Sequence, residues 1–416
     1  MSVHVGQCGN QIGQEFWTDL LSEFASSHIP GTVPVYSPAM ARSFHNFDKK
    51  TGEMREPGSA VSHIVARAVL VDMEERVVDR LTRSKIGRIF NANLTDCSGS
   101  GNNWAVGHRV MGEKHGDEIL DLIRREMESC DACDAIMWSL STGGGTGSGL
   151  GSFLLERVAD EYQNISWIVT VVFPSGPDDV VTSPYNSILA TARLAEFATV
   201  VLPVDNTALA RANIQQQSVN GVISTLWRTI TASTRYGAAQ TSLSEELGKI
   251  STGRRKFLIP SVSAMKPGLV AARSFDNMFA DATKSSQQLL SVDTKKSSMS
   301  GACVMAVYDS KIATNADVER NVIRLESMMR FKPVRVVPVA TPFAQGALAL
   351  LSNSSATHQL FDRTIQKFEK LFKRRANLHH YSSLVEMDEF ITAKESLKVL
   401  SRNYSSLSCS LVVCPL

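Results

Sequence analysis

Four apolar runs stand out in the first half of the chain: Val69 to Val71, Ala135 to Leu140, Trp167 to Phe173 and Val200 to Val204. Runs of this kind predict buried strands. Between them the apolar positions change period. Ile12, Phe16, Leu20 and Phe24 recur every four residues, and Ile119, Leu120, Ile123 and Met127 share one face. Both segments are predicted to be amphipathic helices. Apolar strands alternating with helices predict a mainly parallel sheet covered on each side. Ligands of such sheets bind at the carboxyl ends of the strands.

From about residue 207 the pattern weakens. Helical segments (221–235 and 316–329) mix with strands such as Ala302 to Val307 and Val334 to Val339, and the polar piece Ser291 to Ser300 reads as a turn. Leu360, Phe361, Ile365, Phe368 and Leu371 make one apolar helical face; Leu397, Leu400, Tyr404 and Leu407 make another. Thr392, with Glu395 three residues on, reads as a capping box opening the last helix. The polar stretch 37–60 reads as a long surface loop. The expected fold class is α/β: a mainly parallel-sheet domain over 1–206, an intermediate α+β domain over 207–352 and a C-terminal helical region over 353–416.

The chain's 43 Lys and Arg balance 41 Asp and Glu, a formal net charge of +2. That balance argues against a general nucleic-acid binder. Apolar residues make up 43% and charged residues 20% of the 416, which allows a sizeable core and argues against wholesale disorder. No apolar run reaches the roughly 18 residues of a bilayer span. Met1-Ser2-Val3-His4-Val5 carries neither a charged leader nor an apolar signal core. No membrane partner is expected, and a cytosolic location is. Seven scattered cysteines read as reduced thiols.

The strongest chemical signal is Gly143-Gly-Gly-Thr-Gly-Ser-Gly149, which follows the strand at 135–140 and precedes a helical run. Glycines let a backbone approach a ligand closely and turn with positive φ. Successive N–H groups and the helix N-terminus then favour a phosphate. Thr146 and Ser148 add hydroxyl donors. A Walker loop is excluded, because the single Gly-Lys pair, Gly248-Lys249, is followed by Ile250. The dinucleotide fingerprint fails too: Ser148, Leu150 or Ser152 falls on its last glycine. The loop is therefore expected to hold phosphate through backbone and hydroxyls, without a dedicated lysine. Gly6-Gln-Cys-Gly-Asn-Gln-Ile-Gly13 and Gly99-Ser-Gly-Asn-Asn-Trp104 are further glycine-rich segments. Asp72 and Glu74 end a buried strand, where carboxylates are placed to hold Mg²⁺ directly or through water. Cys130-Asp-Ala-Cys133 has no second pair for zinc. Lys373-Arg-Arg375 with His379-His380 reads as a solvated face or partner contact.

These three glycine segments and Ser183-Pro-Tyr-Asn-Ser187 stand in the order of the tubulin superfamily, which the chain resembles over nearly its whole length. Ala66 to Glu75, Pro174 to Asp179, Thr182 to Leu189 and Leu378-His-His-Tyr381 look like the epsilon type rather than the alpha, beta or gamma types. The resemblance implies GTP or GDP with Mg²⁺, and it gives the residues roles. Gln7 and Cys8 would sit beside the phosphates and sugar, and Gln11 nearer the base. Ser100, Gly101 and Asn102 would form the loop near the terminal phosphate. Gly143, Gly144, Gly145, Thr146 and Gly147, with Ser141, would cradle the diphosphate. Asp179 would lie in the ribose loop, and Asn206 and Asn220 would read guanine, whose edge suits an amide's donor and acceptor. Glu74 is the expected Mg²⁺ residue.

The family completes its hydrolytic site between subunits, with a carboxylate of one facing the terminal phosphate on the next. In Leu243-Ser-Glu-Glu246 the Leu-x-Glu spacing favours Glu245 over Glu246. Ser183 stands where alpha and beta types have a ribose-binding glutamate, and Gln216 where an aromatic would stack on the base. The stretch from Asn206 to Asn220 is shorter than the family pattern, and the chain carries no acidic tail. The resemblance implies a GTP-binding cytoskeletal protein of centrioles and basal bodies. Its expected partners are other tubulin-family subunits and centriolar or microtubule-associated proteins. The alternative is a GTP-binding regulator that does not polymerise. No in-chain hydrolytic base is recognisable beside the phosphate loops, which counts against a GTPase complete in one chain.

Overall fold

The computed structural model describes residues 1–409 apart from 27–30, 96–98, 131–132, 176–179, 213–217, 237–241, 252, 266–270, 330–334 and 341–345. Its strands, in chain order, are β1 (Ser2–Val5), β2 (Phe44–Phe47), β3 (His63–Ala66), β4 (Ala68–Asp72), β5 (Ala92–Thr95), β6 (Ala135–Ser141), β7 (Ser166–Phe173), β8 (Val200–Asp205), β9 (Ile259–Ala264), β10 (Met299–Tyr308), β11 (Arg335–Ala340) and β12 (Ala347–Ser354). The four apolar runs become β4, β6, β7 and β8.

The first sheet has the order β5-β4-β1-β6-β7-β8, and every neighbouring pair is parallel. After β1 the chain builds outward through β4 and β5, then returns to build β6, β7 and β8 on the other side. The reversal opens a crevice at the carboxyl ends of β1 and β6, where sheets of this kind take ligands. Both faces are covered. Val3, Val5, Trp138 and Leu140 pack towards helices Gly112–Glu128, Gly151–Glu161, Ser183–Phe197, His358–Phe372 and Met387–Ser405. Met137, Ile168 and Val172 pack towards Ile12, Phe16 and Leu20 of the first helix, Gly6–Ser26, and towards helix Val219–Ile230. A second, mixed sheet, β11-β10-β12-β9, follows.

His4 is a polar strut inside the second of these cores. Its Nε2 accepts from Trp17 Nε1 at 3.3 Å, so its Nδ1–H donates to Ser139 Oγ at 2.7 Å, and Ser139 Oγ donates on to Gly9 O. Burial holds the imidazole down at about 3, so it is neutral at physiological pH.

Four expectations change. Residues 37–60 are no free loop. Ser37 caps helix Pro38–Ala41, β2 pairs antiparallel with β3, and Phe44 packs edge-on against Trp17 at 5.2 Å. Met40 and Phe44 are buried there, as is Tyr36 just before, while Met54 stays exposed. The last helix begins at Met387, so Thr392 lies inside it and opens nothing. Buried Phe390 packs on Tyr185 and Tyr381, and Glu389 takes Arg109 at 3.1 Å, which keeps the preceding turn helical. The 221–235 segment forms two helices, Val219–Ile230 and Ala232–Tyr236. The polar piece Ser291 to Ser300 gives its last two residues to β10.

Candidate functional site

β1 runs into Gly6, whose φ of +76° only glycine adopts easily. A Cβ on Gly6 would lie 2.9 Å from the Gly147 nitrogen, so the first helix starts hard against the loop after β6. Ser141 ends β6, and a Cβ on Gly147 would stand 3.1 Å from its backbone. The 99–103 loop closes from the side: Ser100 Oγ and Thr146 Oγ1 are 2.9 Å apart. A Cβ on Gly145 would meet Ser100 Oγ at 2.5 Å and the Asn103 nitrogen at 2.6 Å. Three segments far apart in sequence thus meet at the switch point.

The glycines serve two different purposes. Positive φ is found at Gly6, Gly99 (+60°), Gly101 (+56°) and Asn102 (+54°), but at no residue from 143 to 149. There the missing Cβ makes room for neighbouring backbone, which corrects the expectation of left-handed turns in that loop. Gly144 faces open space, since a Cβ would meet only Asn102 Oδ1, at 3.7 Å. Among the described residues, the N–H groups of Gly101, Asn102, Gly143, Gly144 and Gly145 donate to nothing. Converging free amides beside helix starts form an anion-binding nest.

Next to the nest, Gln7, Asn10, Gln11 and Glu74 line a cleft of about 190 Å³. Asn10 is buried and donates to Gly6 O and Val71 O, both at 3.0 Å, which ties the helix start to β4. Its Oδ1 has no donor, and neither has Oδ2 of Asp72, which is 2% exposed. Burial pushes the Asp72 carboxyl up to about 7. Glu74 is exposed at the cap of helix Glu75–Thr82. Orphaned oxygens of this kind fit a hard cation such as Mg²⁺. Among the described residues no group of three His, Cys, Asp or Glu could hold a metal, so the remaining ligands would be water and an anion. Burial pushes the Cys8 thiol up to about 12, which leaves it inert at neutral pH.

The other expected residues are spread further. Asn206 is the exposed first residue of helix Asn206–Arg211, which Asp205 caps through Ala208 N at 2.8 Å. Asn220 is half-buried in helix Val219–Ile230; Ser218 at that helix's start donates to Glu15 Oε1 at 2.9 Å, one turn along from Gln11. Asp179 and Gln216 lie outside the described residues. Ser183 Oγ is buried without a partner beside the space above Gly143.

Glu245 is not brought to these loops within the chain. Ser242 caps its helix and donates to Asp134, just before β6, and Ser244 bonds Ser166, the first residue of β7. Glu245 therefore sits at the amino end of the sheet. The seven residues of β6 separate it from the nest by about 20 Å of strand. Its side chain is 60% exposed and pairs with Lys249, whereas Glu246 is buried beside the same lysine at 3.0 Å.

Sequence reasoning missed the clamp that holds the loops. Asn186 donates to Asn102 O at 2.9 Å and Gly143 O at 2.8 Å, and accepts from Trp104 N at 2.7 Å. Tyr381 Oη donates to the same Asn186 Oδ1, and Asn103 Nδ2 donates to His380 O at 2.7 Å. Both motifs were visible, Ser183-Pro-Tyr-Asn-Ser187 and Leu378-His-His-Tyr381; their contact was not.

The Tubulin/FtsZ family, GTPase domain, matches residues 1–213. The tubulin epsilon chain of Homo sapiens is 34% identical over 98% of this chain and 96% of its own, and that of Mus musculus is the same in all three figures. The tubulin beta-2 chain of Suillus bovinus is 28% identical over 97% of this chain and 95% of its own. Because the likeness runs on through the mixed sheet and the closing helices, the whole chain belongs to the tubulin/FtsZ family, as a tubulin-type GTP-binding protein.

Proposed function

We propose that this chain is an epsilon-tubulin-like subunit that binds GTP at the switch point and joins other tubulin-family subunits head to tail, in centriole or basal-body assembly and microtubule organisation. The observation that carries the nucleotide reading is the set of free amides on two loops that meet over the starts of two helices. Gly143, Gly144, Gly145, Thr146 and Gly147, with Ser141, take the diphosphate. Ser100, Gly101 and Asn102 take the terminal phosphate, while Gln7, Cys8 and Gln11 lie along the nucleotide. Ser183 Oγ faces the ribose, Asp179 belongs to the ribose loop by resemblance, and Asn206 and Asn220 read guanine. Asp72 and Glu74 hold Mg²⁺ through water. When bound, the cation neutralises phosphate charge.

Hydrolysis needs a residue to orient water, and Glu245 is the candidate, presented by the next subunit. Its place at the opposite end of the sheet supports this, because head-to-tail stacking sets one subunit's amino end on another's carboxyl end. Its exposure favours it over buried Glu246. Acid extraction of purified protein tests the reading: release of GTP or GDP is expected, and adenine nucleotide or none overturns it. Pelleting in GTP but not GDP tests the assembly. A protein that binds GTP and never pellets is the non-polymerising regulator instead.

A further inference from the structure

The cleft beside the nest has a second pair of unsatisfied groups. Arg76 and Arg80, one turn apart on helix Glu75–Thr82, line it together with Gln7, Gln11 and Glu74. Both are exposed, and among the described residues neither makes a hydrogen bond or ion pair. Arg83, on the same helix, is engaged by contrast, with Asp79 at 2.7 Å. The opposite wall carries the reverse imbalance, since Asn10 Oδ1 and the adjoining Asp72 Oδ2 are buried acceptors without donors. One wall lacks a cation and the other lacks an anion. A magnesium–phosphate unit satisfies both. The glycine loop brings hydroxyls and amides but no lysine or arginine between 141 and 156, so positive charge for the terminal phosphate has to come from elsewhere.

We propose that Arg76 contacts the terminal phosphate of the bound nucleotide from within its own chain, with Arg80 behind it as a weaker, more distant charge. Arg76 is the nearer in sequence to Glu74 and β4, and Gln7 on the facing wall follows Gly6, which abuts Gly147. A guanidinium there can grip two phosphate oxygens at once, which lysine cannot. The proposal rests on the nucleotide reading above. It adds a means of telling a triphosphate from a diphosphate before any second subunit arrives.

The experiment is titration of the purified monomer with fluorescent GTP and GDP, in Mg²⁺, for wild type, Arg76→Gln, Arg76→Lys and Arg80→Gln. Arg76→Gln is expected to weaken GTP by about 10- to 100-fold, the worth of a charge-assisted hydrogen bond, and GDP far less. Arg76→Lys should recover part of the loss, and Arg80→Gln should shift the GTP-to-GDP ratio only slightly. Equal losses for GTP and GDP, or no loss, overturn the proposal. Unchanged affinities with impaired pelleting overturn it too, because the guanidinium then serves a carboxylate of the next subunit. If wild type binds neither nucleotide, the reading beneath it fails first, and that result is read from wild type alone.

Discussion

At the carboxyl end of the parallel sheet the strands run into loops whose N–H groups have no acceptors, and the carboxylates beside them are suited to a cation. At the amino end Asp134 and Ser166 hold a capped helix that offers Glu245 to solvent. The first end supplies donors and the second a carboxylate. Neither makes a hydrolytic site alone, and about 20 Å of strand keeps them apart. On the proposal that Glu245 is the catalytic carboxylate, the same sheet that builds the pocket also makes hydrolysis depend on a second subunit.

Glu245→Ala tests this division most severely. Turnover in assembled protein should fall by about 10²- to 10⁴-fold, the usual worth of a positioned acid–base group, with nucleotide affinity nearly unchanged. The check is turnover against protein concentration. Turnover in the monomer that ignores both concentration and the substitution would break the comparison. Gly144→Val acts on the other end. Its added carbons enter space that only Asn102 Oδ1 borders, so the fold should persist while GTP affinity drops by about 100-fold or more. Gly145→Val should instead lower the melting temperature, because its Cβ strikes the Asn103 backbone. Calorimetry and thermal melts on both variants separate the roles.

Acid should loosen both ends together, because His4 links β1, β6 and the first helix between them. His4 has a folded value of about 3 against an ordinary 6.5, and burial depresses His108 as well. At these two histidines the unfolded chain binds more protons than the folded one below pH 6.5. The contribution of His4 is therefore full above about pH 7 and is lost as pH falls towards 3, by roughly 1.4 kcal/mol per pH unit; His108 acts in the same direction, and Asp72, whose raised carboxyl takes up its proton in the folded state near pH 7, acts in the opposite one. Urea midpoints of wild type and His4→Asn at pH 7, 6 and 5 isolate the His4 contribution, the two slopes being expected to differ by about one proton. The smallest effect is expected from Tyr381→Phe. Asn186 Oδ1 keeps its bond from Trp104 N, so the loss is about 1 kcal/mol. Faster nucleotide release at an unchanged association rate would assign the clamp to holding the loops.

The sheet was legible because parallel strands buried on both faces write themselves as unbroken apolar runs, as in β7, where every residue is buried. The β2–β3 hairpin was not, because its burial rests on a few apolar side chains scattered among polar ones. Thr392 misled because a capping pattern is local, whereas the helix start is set by Phe390 and Glu389 reaching other elements. At the site, glycine spacing announced the loops, but not that 143–149 is glycine-rich for close approach rather than for left-handed turns. The Asn186–Tyr381 contact spans 195 positions, and no periodicity reports a pairing of that range.

That clamp also sets a clock on synthesis. The family-matching segment ends at residue 213, yet the loop at Asn103 is held by a carbonyl 277 residues downstream. At ribosomal rates the first anchor waits roughly 15–55 s for its partner. Through that interval Asn186 can already hold Asn102 and Gly143, but it lacks Tyr381 behind it and Asn103 lacks the His380 carbonyl. A fragment stopped at 213 would keep the Asn186 bonds and lose those of Tyr381 and His380, so its loops would be held from one side only.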